Sequence, residues 1–84
     1  MIDLEQDGIK EASFIPSKHK NRYKILFNNG ERMSVISEPG LSKYEIMPSC
    51  NSIFPKGFED EVVMDDLSIE QVNYYIFRLA HKEG

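Results

Sequence analysis

The chain has 84 residues, a formal net charge of −4, and 40% apolar and 29% charged side chains. That length holds one core and excludes a second domain, and near-average apolar and charged fractions exclude wholesale disorder. The acidic balance weighs against direct nucleic-acid binding, because such affinity rests largely on neutralised phosphates.

A single cysteine, Cys50, leaves no intrachain disulfide to form. The acidic stretch from Met1 to Asp7 lacks the cationic and apolar regions of a signal peptide. No apolar run approaches the ~20 residues that cross a bilayer. These features together describe a soluble domain of the reducing cytoplasm with no membrane partner.

Residues 1–8 are polar, end in Asp7-Gly8, and read as a flexible start. Residues 9–15 mix Ile9, Phe14 and Ile15 with small polar side chains, which suits a first strand ended by Pro16. A cationic connector, Ser17-Lys18-His19-Lys20-Asn21, leads into Arg22-Tyr23-Lys24-Ile25-Leu26-Phe27. There Tyr23, Ile25 and Phe27 recur at period two. Asn28-Asn29-Gly30 tolerates positive φ, and Met33 and Val35 resume the alternation within residues 31–36. Two alternating runs about an Asn-Gly pair predict a β-hairpin.

Glu38-Pro39-Gly40 predicts a turn. Residues 43–47 alternate again and predict a further strand stopped by Pro48. Residues 48–60 carry Pro48, Pro55 and Gly57 and predict an irregular loop from which Phe54 and Phe58 reach the core. Residues 61–64 predict a short edge strand. The last element is helical: Ser68 and Gln71 have capping-box spacing. Asp65, Asp66 and Glu70 suit the positive helix end, and Arg78, His81 and Lys82 the negative one. Ile69, Val72, Ile76 and Leu79 form one apolar stripe. The resulting expectation is an α+β domain over residues 1–84, with an antiparallel sheet of three to four strands packed against one C-terminal amphipathic helix.

The parts for catalysis are few. A nucleophile needs an activating base, and only Cys50, His19 and His81 offer themselves. Cys50 lies in Ser49-Cys50-Asn51, without a glycine-rich turn to expose it, and His81 suits helix-dipole compensation. Neither zinc spacing nor a calcium-loop pattern is present. The scattered glycines form no phosphate-binding motif. The sequence therefore predicts no enzyme, no catalytic residue, no metal site and no cofactor.

Three features bear on partners. Lys18, Lys20, Arg22 and Lys24, with His19 and Tyr23 among them, form a basic cluster that is either a small phosphate-contacting patch or a solvated connector. Glu59, Asp60 and Glu61 open an acidic stretch running to Asp66, which either docks on a basic protein surface or is solvated. Tyr74 and Phe77 fall away from the helical stripe, so they either form an interface or close a broad apolar face. The preferred expectation is a non-enzymatic binding protein contacting its partner through Glu59, Asp60, Glu61, Tyr74 and Phe77. A homo-oligomeric assembly component, such as a homodimer burying the aromatics, is the second reading. A weak nucleic-acid-binding module using the basic cluster is the third.

The run Tyr23 to Gly30, then Ser34-Val35-Ile36, Tyr44-Glu45-Ile46 and Asp65 to Val72, resembles a pattern among small phage-encoded accessory proteins. Those share a strand ending in an Asn-Gly turn, two further strands and a short C-terminal helix. The resemblance spans about residues 22–80, and the stretch between the Tyr-Glu strand and the helix departs from it. It implies a modulator or inhibitor of a host protein or defence complex, acting in the host cytoplasm.

Overall fold

Asn28, Asn29 and Gly30 reverse the chain where the alternation predicts, and they do so through the glycine alone. In the computed structural model, which describes residues 2–38, 40 and 42–83, Gly30 has φ +86°, while neither asparagine has a positive φ. A two-residue type I′ turn needs positive φ at both central positions. The chain instead makes a three-residue loop, closed by Gly30 N donating to Phe27 O at 3.0 Å and Phe27 N to Glu31 O at 2.9 Å. It joins β2 (Asn21–Phe27) to β3 (Arg32–Ser37).

Three more strands extend this hairpin: β1 (Ile9–Ile15), β4 (Tyr44–Pro48) and β5 (Met64–Leu67). All neighbours are antiparallel and the spatial order is β1-β2-β3-β4-β5. The sheet thus has five strands rather than three or four, because both weak end segments join it. Pro48 does not stop β4 but is its last residue, opposite Met33, a position where a missing amide costs little. The turn expected at Glu38-Pro39-Gly40 includes Pro39, outside the described residues.

The last strand lies three residues later than the expected 61–64. Asp65 and Asp66 are therefore strand residues, leaving Glu70 as the acid in the first helical turn. Asp66 has φ +57° where the register with β4 shifts. Aspartate tolerates that left-handed conformation better than most side chains. The bulge turns both carboxylates outward and keeps Leu67 buried.

Directly opposite residues in an antiparallel ladder share a face. Ala12, Ile25 and Met33 form one row, and Phe14, Tyr23, Val35 and Ile46 the next. The helix α1 (Ile69–Ala80) covers this face over β4, β5 and a 3-10 turn at Asn51–Ile53. Val72, Ile76 and Leu79 are fully buried, and Tyr75 nearly so. Ile69, at the head of the stripe, only flanks the core. Phe54 reaches the core and meets Tyr75 edge-on at 6.2 Å, whereas Phe58 stays exposed, contrary to expectation. Phe58 lies in a local turn, where Phe58 N donates to Pro55 O, and that turn holds it outside.

Each end of α1 is tied down. Ser68 Oγ accepts from Gln71 N at 3.2 Å, and Gln71 Oε1 accepts from Ser68 N at 2.8 Å, completing the expected capping box. At the other end Asn29 Nδ2 donates to Leu79 O at 2.9 Å and Lys82 O at 3.1 Å, while Asn29 Oδ1 accepts from Glu31 N. The hairpin turn thus caps the helix. The N-terminal segment, read from sequence as a flexible start, lies against the helix. Ile2 is buried, Asp3 N donates to Asn73 Oδ1 at 2.9 Å, and Gln6 Nε2 donates to Asn73 O at 3.1 Å.

Candidate interaction surfaces

The buried residues Val72, Tyr75, Ile76 and Leu79 define one direction around α1. At helical periodicity Tyr74 and Phe77 both point about 150° away from it. They are 51% and 50% exposed, so the helix shows aromatic rings to solvent on the side opposite its core stripe. Each ring is fixed by the residue four positions on. Arg78 Nη1 donates to Tyr74 Oη at 3.0 Å, and the His81 ring stacks on Phe77 with centroids 4.3 Å apart. Tyr74 also meets Tyr75 edge-on at 5.5 Å. Burial raises the Tyr75 phenol above its ordinary value, and the neighbouring Tyr74 pushes in the same direction.

Glu59, Asp60 and Glu61 lie in an exposed turn. The Asn51 side-chain amide donates to Glu59 O at 2.5 Å and Glu61 O at 3.1 Å, fixing the turn to the 3-10 segment that touches α1. Gly57 N donates to Glu59 Oε2 at 3.0 Å, and this bond holds the Glu59 carboxyl below its ordinary value. The acidic turn and α1 thus share a support. No described hydrogen bond, ion pair or ring contact joins its carboxylates to Tyr74 or Phe77 directly. Asp66, further along, pairs with Lys43 at 3.3 Å.

The basic cluster divides. Lys18, His19 and Lys20 are exposed in the β1–β2 connector, whose ends Ser17 clasps by hydrogen bonds to Lys20 backbone atoms. Arg22 and Lys24 stand on the helix-free face of the sheet, opposite Ile36 and Ser34. Arg32, opposite Leu26, joins that face. An open groove of about 440 Å³ runs there between Glu11, Lys24, Leu26, Arg32 and Met47. Arg32 lies eight positions beyond Lys24 on the far side of the turn, so proximity along the chain does not group the two; the hairpin register is the signal that unites them. Phe14 and Tyr23 belong to the other face, where their rings pack 4.8 Å apart. Among the described strand residues, the helix-free face therefore carries no aromatic ring on which a base could stack.

Cys50 is half-buried, with Sγ 3.0 Å from Ser52 Oγ, and this contact lowers the thiol below its ordinary value. His81 is committed to the Phe77 stack, and His19 lies in the connector. The three groups are not brought into one another's hydrogen-bonding reach among the described contacts. Beside Cys50, Ser49 Oγ donates to Glu31 Oε1 at 2.6 Å and accepts from Arg32 N at 2.8 Å, while Lys82 Nζ lies 3.3 Å from Glu31 Oε2. This chain links the hairpin turn, the end of β4 and the helix C-terminus. Ser49 chiefly holds the Glu31 carboxyl below its ordinary value; desolvation opposes the shift and Lys82 reinforces it. Among the described residues there is no cluster of three or more metal-ligating side chains and no helix long and apolar enough to cross a membrane.

No family model matches the chain, and neither a curated protein nor a solved structure matches it.

Proposed function

We propose that the chain is a non-enzymatic binding protein that docks on a partner through the outer face of α1, with the acidic turn at Glu59–Glu61 contributing charge. The observation carrying this reading is the placement of Tyr74 and Phe77. Two large rings stand half-exposed on one helix face, one hydrogen-bonded by Arg78 and the other stacked on by His81. Aromatic side chains fixed before binding lose little conformational entropy on contact and recur as interface hot spots. The carboxylates favour a partner with a basic surface. A modulator or inhibitor of a host protein, of the phage-encoded accessory kind, acting in the host cytoplasm, fits this reading.

Capture from host-cell lysate on the immobilised chain tests it. A stoichiometric partner should bind the wild type and be lost by Tyr74→Ala/Phe77→Ala, with Glu59→Lys/Asp60→Lys/Glu61→Lys weakening the capture. No partner, or a partner indifferent to both variants, overturns the reading. The second reading, a homo-oligomer, rests on the same exposed rings meeting a second copy. Light scattering after size exclusion separates the two, since a monomer across the accessible concentration range removes the oligomer.

A further inference from the structure

We infer that the outer edge of β1 is a strand-addition site for an extended, acidic segment of a partner protein, a surface distinct from the helix face above. β1 is seven residues long and terminal in the sheet, and every residue after Ile9 is exposed. Among the described residues no backbone hydrogen bond outside the β1–β2 ladder reaches Lys10 to Ile15. Such an edge is a template for another strand unless something blunts it. The opposite edge is blunted: β5 has four residues, a bulge at Asp66 and two outward carboxylates. On β1 the irregularity is confined to its first residues, leaving Glu11 to Ile15 in regular register with β2.

Charge selects the occupant. Residues 9–24 hold five cations, Lys10, Lys18, Lys20, Arg22 and Lys24, against the single carboxylate of Glu11. That is +4 on a chain whose total is −4. Arg22 and Lys24 lie opposite Ile15 and Ser13, so they flank the helix-free side of the edge, while Phe14, 50% exposed, flanks the other. An added strand projects alternate side chains to the two faces. Acidic residues at every second position would meet Arg22 and Lys24, and apolar ones between them would cover Phe14. A second copy's own β1 lacks these acids. A nucleic acid would engage the cations but leave the edge amides and carbonyls unpaired.

The probe is an acetylated, amidated octapeptide alternating Glu and Val, titrated into the isotope-labelled full chain by NMR. The alternating Lys-Val octapeptide and a single-stranded oligonucleotide serve as comparisons. Backbone amides of Lys10 to Ile15 should shift with the Glu-Val peptide, α1 amides should not, and affinity should fall with salt. Lys18→Glu/Lys20→Glu, both in an exposed connector, should weaken binding about tenfold with the spectrum otherwise unchanged. Four results would overturn the inference. They are an unresponsive edge, equal binding of the Lys-Val peptide, tighter binding of the oligonucleotide at the same residues, or concentration-dependent shifts of β1 without peptide. None of them bears on Tyr74 or Phe77, so the helix-face reading stands or falls separately.

Discussion

Asn29 is the residue whose replacement tests the architecture most sharply, because one side chain joins the hairpin turn to the helix end. Its amide donates to Leu79 O at 2.9 Å and Lys82 O at 3.1 Å, and its carbonyl accepts from Glu31 N at 3.0 Å. A typical hydrogen bond contributes about 0.5–1.5 kcal/mol net. Asn29→Ala removes all three and leaves helix C-terminal carbonyls without their cap, so about 2–3 kcal/mol should be lost. For a domain this small that is a shift of about 10 °C or more in Tm and about 1–2 M in the urea midpoint. Asn29→Asp is the decisive companion. It keeps the acceptor for Glu31 N but turns an anion toward the negative end of the helix. At neutral pH it should be at least as destabilising as alanine, recovering in part as acid protonates it. Circular dichroism with urea supplies both numbers. An alanine variant within about 0.5 kcal/mol of wild type, or an aspartate variant matching asparagine, would refute the cap.

Gly8 has φ +96°, and a Cβ there would stand 3.0 Å from Ala80 Cβ and 3.3 Å from Ala80 O. Gly8→Ala should therefore cost about 2 kcal/mol in the urea midpoint, from backbone strain and contact together. Ser68→Ala should cost about 1 kcal/mol by the same assay, since it removes the capping-box acceptor for Gln71 N. The Glu31 carboxyl is held below its ordinary value mainly by the hydrogen bond from Ser49. Its contribution to stability is present above that value and disappears as pH falls through the lower folded-state value. The stability difference between wild type and Glu31→Gln should thus be full near neutrality and shrink on acidification below about pH 4.5; a difference independent of pH would contradict the assignment.

The sequence discloses the hairpin and the helix because each rests on local rules. Period-two alternation flanks Asn28–Gly30, and a serine and glutamine at capping-box spacing precede an apolar stripe. What it conceals is set by distant partners. β5 holds only four residues, and its Asp65-Asp66 pair has the composition of a helix approach; only pairing with Tyr44 and Ile46 makes it a strand. Residues 2–6 look solvated because their anchors, Ile2 against the core and Asn73 on α1, are invisible along the chain. Phe54 and Phe58 are alike in sequence context, yet the 3-10 turn at Asn51–Ile53 delivers one to Tyr75 and leaves the other in solvent. Tyr74 and Phe77 could be placed by angle, but the stacking and hydrogen bond that fix them could not. The open edge of β1 has no signature in sequence, because being unpaired is a property of the whole sheet.

The helix carries the functional proposal, one side holding the fold and the other meeting the partner. A photoreactive benzophenone amino acid in place of Phe77, irradiated in host-cell lysate, tests that division directly, with the same group in place of Glu45 on the helix-free face as comparison. A single discrete adduct from position 77 and none from position 45 is the predicted result; equal labelling from both, or labelling from position 45 alone, would contradict it.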